Sequence, residues 1–250
     1  MLTALLTLIL LTGNPETSEI QFALNQLQSA INRFEEAALL TSISTLDSLS
    51  ALAPENGHLL VASGWARYEL GTYYMVRKMG DKVTENYDTN MEFAEKLSSL
   101  PGYKVDGLVL KAAYTMNNLS VSGGASAPIL SFKTHGFLDD AESIQPENPR
   151  LNLIRGMMYF FTPKMFGGSA EKALSYFEKS VAGFESAPNY DGTSYRLAYA
   201  TSCAWAAQAA FKMEDGAKAR TWCNRALSLQ PEYGFVKHQL LPMVNDKFPE

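Results

Sequence analysis

Cysteine is nearly absent from this chain. With only Cys203 and Cys223 in 250 residues, there is neither a disulfide framework nor a paired-thiol metal motif. No cysteine follows the N-terminal apolar run, which excludes a lipid anchor at that point. A concentrated basic face is missing too. The formal charge is −5, and the lysines and arginines are scattered, often with acidic residues close by. Nucleic-acid backbones and anionic lipid surfaces both call for a cluster of positive charge, so neither is an expected partner. No apolar run reaches the roughly 20 residues that a membrane-spanning helix needs. His58, His135 and His238 lie far apart in the sequence, and no metal site is expected. The glycine-rich phosphate loops, the HExxH zinc motif and the GxSxG nucleophile elbow are all missing. Gly123-Gly124 and Gly167-Gly168 lack the strand and lysine of a phosphate loop and read as turns. Asp139-Asp140 and Glu35-Glu36 are sequence neighbours, so on a helix they point in different directions and make poor acid–base pairs. Neither a catalytic constellation nor a cofactor is expected.

What is present is apolar material in helical order. Hydrophobic residues make up 46% of the chain and charged residues 19%, enough for a core and far from disorder. Ile20, Leu24, Leu27, Ile31 and Phe34 form one stripe at spacings of three and four, which predicts a helix from Ser18 to Ala38. A second runs from Leu39 to Leu52 and stops before Pro54, because the residue ahead of a proline is pushed out of the helical region. An aromatic-rich helix follows from Gly57 to Met79, with its antiparallel return from Lys82 to Leu100. Pro101-Gly102 closes that pair, and Val105 to Leu119 carries the next stripe. Val121 to Pro128 is the longest small-residue loop, and Pro128 opens a helix running to Ile144. Further helices are predicted from Pro149 to Phe161, from Ser169 as N-cap through AEKALSYFEKSVAGF, from Ser194 to Lys212 and from Ala217 to Leu229. A short one from Tyr233 to Val244 ends the chain, and no strand pattern is visible.

Three segments punctuate this order in the same way: ALAPENG at Ala51, SIQPENP at Ser143 and SLQPEYG at Ser228. Each ends an amphipathic stretch with proline, an acidic residue and a turn former. With Pro54, Pro146 and Pro231 taken as repeat ends, the chain resembles the tetratricopeptide repeat, two antiparallel helices in about 34 residues. Ala207, Ala219, Ala226 and Pro231 match that repeat's small and proline positions, Gly64 and Gly156 fall at helix crossings, and Leu70-Gly71 falls at a turn. Small side chains there let two backbones approach while larger ones fill the groove between. The resemblance departs in two places: Trp65 lies one place past the small residue, and TPKMFGGS is an insertion. It implies an all-α array of about five antiparallel hairpins in one domain from 18 to 250, with a short C-terminal capping helix.

The resemblance also implies binding rather than catalysis, with the first helices of successive repeats lining a concave face. In that register Trp65, Tyr68 and Glu69 would face it from one repeat, and Arg150, Met157 and Phe160 from another. They form an expected exposed aromatic groove for a protein segment or a small ligand. The alternative is a small-ligand carrier or accessory subunit in which hairpins enclose a pocket, rimmed by TPKMFGGS and VSGGASAP. Residues 1–17 hold a ten-residue apolar run, Leu2 to Leu11, whose length suits the centre of a secretory signal, although no basic residue precedes it. The protein is then expected to be exported, to the periplasm of a bacterium. If the run instead packs on the scaffold as a helix, the protein is cytoplasmic. Cys203 and Cys223 fall on the two helices of one hairpin, either bridged or as two buried thiols.

Overall fold

The computed structural model describes residues 15–186 and 197–249. The leader-like run, most of the loop expected after Ser186 and the first turn of the helix expected from Ser194 lie outside them. The described chain is helical, without a strand. Five helix pairs follow one another: α1 (Thr17–Arg33) with α2 (Glu36–Leu52), and α3 (Gly57–Val76) with α4 (Gly80–Ser98). Next come α5 (Lys104–Val121) with α6 (Ser126–Ile144), and α7 (Pro149–Phe161) with α8 (Ala170–Ser186). The last pair is α9 (Tyr199–Lys212) with α10 (Gly216–Leu229). A π-turn at Val236–Leu240 leads into α11 (Leu241–Lys247), which packs on α10 as the expected cap. Each pair stacks on the next, and the first helices of neighbouring pairs also touch, α3 with α5 and α5 with α7.

The repeated punctuation works through capping. In the first two endings the residue two places after the proline is an asparagine, and each asparagine starts the next first helix. Asn56 Oδ1 accepts the Leu59 N–H at 3.4 Å, and Asn148 Oδ1 accepts those of Arg150 and Leu151 at 3.0 and 3.1 Å. These bonds satisfy donors that an α-helix leaves open in its first turn. Ser169 Oγ accepts the Lys172 N–H at 3.1 Å, capping α8 as its sequence predicts.

Two boundaries differ most from the sequence reading. The helix expected to run to Ala38 breaks at Phe34, which sits left-handed at φ 53° with its N–H on the carbonyls of Ala30 and Ile31. That conformation usually selects glycine. Here the Phe34 ring packs on Tyr73 at 5.2 Å, a long-range contact that no local pattern announces. The loop expected from Val121 to Pro128 shrinks to Ser122–Ala125, because α5 keeps Val121 and α6 begins at Ser126. The terminal helix begins at Gly234, within one residue of the expected Tyr233, and widens to the π-turn at Val236–Leu240 before α11.

Burial divides the helices into two classes. In α7 ten of thirteen residues are buried, and in α3 the run Leu59–Ala66 is buried without interruption. In α4 only Val83, Ala94 and Leu97 are. From the second pair onward the first helices are therefore the core and the second helices its cover, while α1 and α2 are buried alike. Gly156 is where α7 meets α8: a Cβ there would lie 2.5 Å from the Phe177 ring. Gly107 lets α4 close on α5, since a Cβ would meet the Ser98 nitrogen at 2.6 Å and the Ala94 oxygen at 2.7 Å. Cys203 and Cys223 are free thiols, both buried. Burial pushes Cys203 up to about 12 and Cys223 to about 11, so both stay protonated at neutral pH. Of the two alternatives for this pair, the structure has the buried thiols and not the bridge. No helix among the described residues is long and apolar enough to cross a membrane.

Candidate partner-binding surface

The six residues predicted to line a binding face are mostly inside. Trp65 is fully buried, Tyr68, Glu69, Arg150 and Met157 are at most 7% exposed, and Phe160 is half-buried. The exposed aromatic groove expected at Trp65 and Tyr68 is therefore not present. The reason is closure of the array. The Tyr68 hydroxyl on α3 reaches Met157 Sδ on α7 at 3.3 Å, joining the second pair to the fourth. Trp65 lies against Tyr68 with ring centroids 5.0 Å apart. Phe160 turns to the next pair, edge-on to Trp205 of α9 at 5.4 Å, and its carbonyl accepts from Lys212 Nζ at 3.0 Å. Arg150 joins none of these. It pairs with Asp106 of α5 at 3.1 Å, both side chains well buried.

The chain's own C-terminal segment covers what is left of the inner face. Asn32 at the end of α1 donates to Gln230 Oε1 at 3.2 Å, across 198 residues of sequence. Gly234 passes close by: a Cβ there would lie 3.1 Å from the Asn32 carbonyl oxygen. Between them Tyr233 comes against Glu69 and Thr201. Glu69 has no cationic partner among the described residues. Burial raises it from the ordinary 4.5 to about 7, opposed only weakly by the Trp65 indole N–H one turn earlier, which does not close a full hydrogen bond. A carboxyl left in an apolar interior without a counter-charge favours its neutral form. Among the described residues, no cluster of His, Cys, Asp and Glu is grouped as a metal would need.

The large apolar side chains left outside are concentrated elsewhere. Phe132 on α6 is 80% exposed, and Met165 and Phe166 in the turn after α7 are 82% and 72% exposed. The elements that carry them adjoin: His135, one turn along α6 from Phe132, and Phe166 line the same small depression with Arg155 and Tyr159. The turn is rigid. Phe166 N–H bonds to the Pro163 carbonyl at 2.9 Å and Ser169 N–H to that of Tyr159 at 3.1 Å. Gly167 takes φ 91°, and at Gly168 any Cβ would overlap the Thr162 carbonyl. This is the insertion TPKMFGGS, read from the sequence as a departure from the repeat. Phe132 was missed there, and its signal lies in the α6 pattern. Leu130, Thr134, Leu138 and Ala141 mark the buried stripe, and Phe132 falls on the opposite face, where an apolar residue serves no packing.

The solved structure of a thermophilic TPR protein from Thermus thermophilus superposes on this chain with a TM-score of 0.54. The match spans 90% of this chain and 98% of that one, at 13% identity. The fold is tetratricopeptide-like. No family model matches the chain, and no curated protein matches it in sequence. A TPR-like array is a stack of helix pairs with extended surfaces. In this TPR-like chain residues of the inner surface are covered by the chain's own side chains, and the most exposed large apolar side chains among the described residues lie on α6 and the insertion.

Proposed function

We propose that this protein is a non-enzymatic TPR-like scaffold that holds a protein partner on the shoulder of Phe132, Met165 and Phe166. The single observation that carries this reading is the exposure of those three large side chains on adjoining elements, one of them a turn locked by backbone bonds. Solitary exposed apolar residues are ordinary, whereas a rigid group of them marks a contact surface. The flanking charge indicates the partner's chemistry. Lys133 and Lys164 adjoin Phe132 and Met165 in sequence and lie exposed, Lys164 within electrostatic reach of Glu171. An apolar segment bordered by Asp or Glu would complement them. The depression beneath the insertion has a volume of about 30 Å³. That is room for about one water, so the insertion serves better as a contact than as the rim of a ligand pocket.

The test is a photo-reactive side chain placed at Phe166 in cells of the native host. The expected product is a cross-link to one protein, weakened about tenfold by Phe132→Asp, a change of roughly 1.4 kcal/mol in a contact residue. Cross-links to lipid alone, to a second copy of this chain alone, or to a partner indifferent to Phe132→Asp would remove the proposal. We place the scaffold in the cell envelope of a bacterium, supported by the apolar run Leu2 to Leu11. Expressed from its full sequence, the protein should emerge in the osmotic-shock fraction, shortened at its N-terminus. Full-length protein in the cytoplasm alone would place it there instead.

A further inference from the structure

A second feature lies on another part of the molecule, independent of the shoulder. The helices α2, α3, α4 and α5 enclose a cleft of about 170 Å³. At Gly107 α4 packs closely on α5, and it meets its own hairpin partner α3 less extensively.

The walls narrow the chemistry of an occupant. Arg67 and Lys82 both line the cleft, with no acidic residue among the lining groups. Each is already neutralised from behind. Arg67 holds Asp47 through two contacts of 3.1 and 2.7 Å, and Lys82 Nζ lies 2.7 Å from Glu36. An anion would have to compete with those carboxylates, and a cation would meet two like charges. The remaining polar wall is Asn86, Thr89 and Asn90, which line the cleft within about one turn of α4, and Asn117 of α5, whose amide donates to the Tyr68 carbonyl at 3.0 Å. Asn86 spends its Nδ2 on the Lys82 carbonyl at 2.7 Å and keeps its oxygen. The Asn90 amide makes no hydrogen bond to another described residue. Amides and hydroxyls of this kind both donate and accept. Leu70 of α3 and Val83 of α4 give an apolar floor, and Tyr74 and Tyr87 add ring surface.

We propose that this cleft binds a small uncharged ring bearing several hydroxyls, a molecule of monosaccharide size. Such a ring presents C–H groups to the apolar floor and aromatic rings on one side. Its edge carries hydroxyls that match groups able both to donate and to accept. The volume agrees: a cavity of about 150 Å³ holds one benzene ring, so this one suits a single six-membered ring and excludes a chain of them.

Saturation-transfer NMR on the full chain tests the assignment, with glucose, galactose, N-acetylglucosamine and myo-inositol as neutral probes. Acetate, methylphosphonate and phenol serve as anionic and apolar controls. At least one neutral probe is expected to receive saturation, undiminished by added salt. Asn90→Leu and Asn86→Leu should each weaken it roughly fivefold to tenfold, as for the loss of a hydrogen bond to an uncharged group. Thr89 is exposed, so Thr89→Trp should keep the melting temperature of the parent while blocking the mouth and abolishing the signal. Saturation of acetate, methylphosphonate or phenol without a neutral ring, of no probe at all, or of a neutral ring equally in Thr89→Trp would overturn the proposal.

Discussion

Glu69→Gln should stabilise this protein at pH 8 by roughly 3 kcal/mol and remove much of its loss of stability between pH 5 and pH 8. The carboxyl is raised by burial from 4.5 to about 7. At pH below its unfolded value both states hold the proton and no penalty exists. Between 4.5 and 7 the unfolded chain releases the proton while the folded chain retains it, so stability falls as pH rises. Above about 7 the penalty is complete, and each unit of difference is worth about 1.4 kcal/mol. Glutamine has the same shape as the protonated acid and never ionises, so it carries no such slope. Urea midpoints at the two pH values, with unchanged m, would measure the effect. Other groups also titrate in this range, so the quantity that counts is the difference between variant and parent. A variant with the parent's full pH dependence would show that Glu69 is hydrated.

Phe177→Ala is expected to cost about 3–5 kcal/mol, the range for removing a buried aromatic ring. Phe177 has no exposed surface, stacks on Trp205 at 6.1 Å and lies over Gly156. For a chain of this size the melting temperature should drop by on the order of 10 °C. The facing glycine gives the matching experiment. Gly156→Ala introduces a Cβ 2.5 Å from the ring. Overpacking at such a site costs about 1–3 kcal/mol, partly offset by the roughly 1 kcal/mol that alanine contributes in a helix interior. If the two residues form one crossing, Gly156→Ala with Phe177→Leu should be less damaged than the sum of the single changes. Strict additivity would mean that α7 and α8 meet elsewhere.

Gly156 was legible in the sequence because a helix crossing requires a small residue at a fixed distance from a proline ending. The asparagines that follow Pro54 and Pro146 are legible for a similar reason, since capping acts over three residues. Gly107 was not singled out. Its role depends on the approach of α4, and nothing within α5 distinguishes it from a glycine tolerated in a helix. The same limit explains Trp65, Tyr68 and Glu69. Register assigned them to the inner face of α3, which is where they are, but whether that face stays open is not a property of α3. Met165 and Phe166 stood within a recognised insertion, while Phe132 needed the buried stripe of α6 to be drawn before its position became informative.

The helices, their pairing in five hairpins and the TPR-like array follow from the sequence alone, because periodicity, caps and proline stops act within a few residues. The tertiary structure decided how far the array curls, and with it which side of the molecule is available. That curl sums small rotations between pairs and is held by contacts such as Asn32 with Gln230, 198 residues apart. Local patterning carries no record of such a contact. The aromatic face therefore became core, and the surface offered to other molecules moved to the shoulder and the cleft.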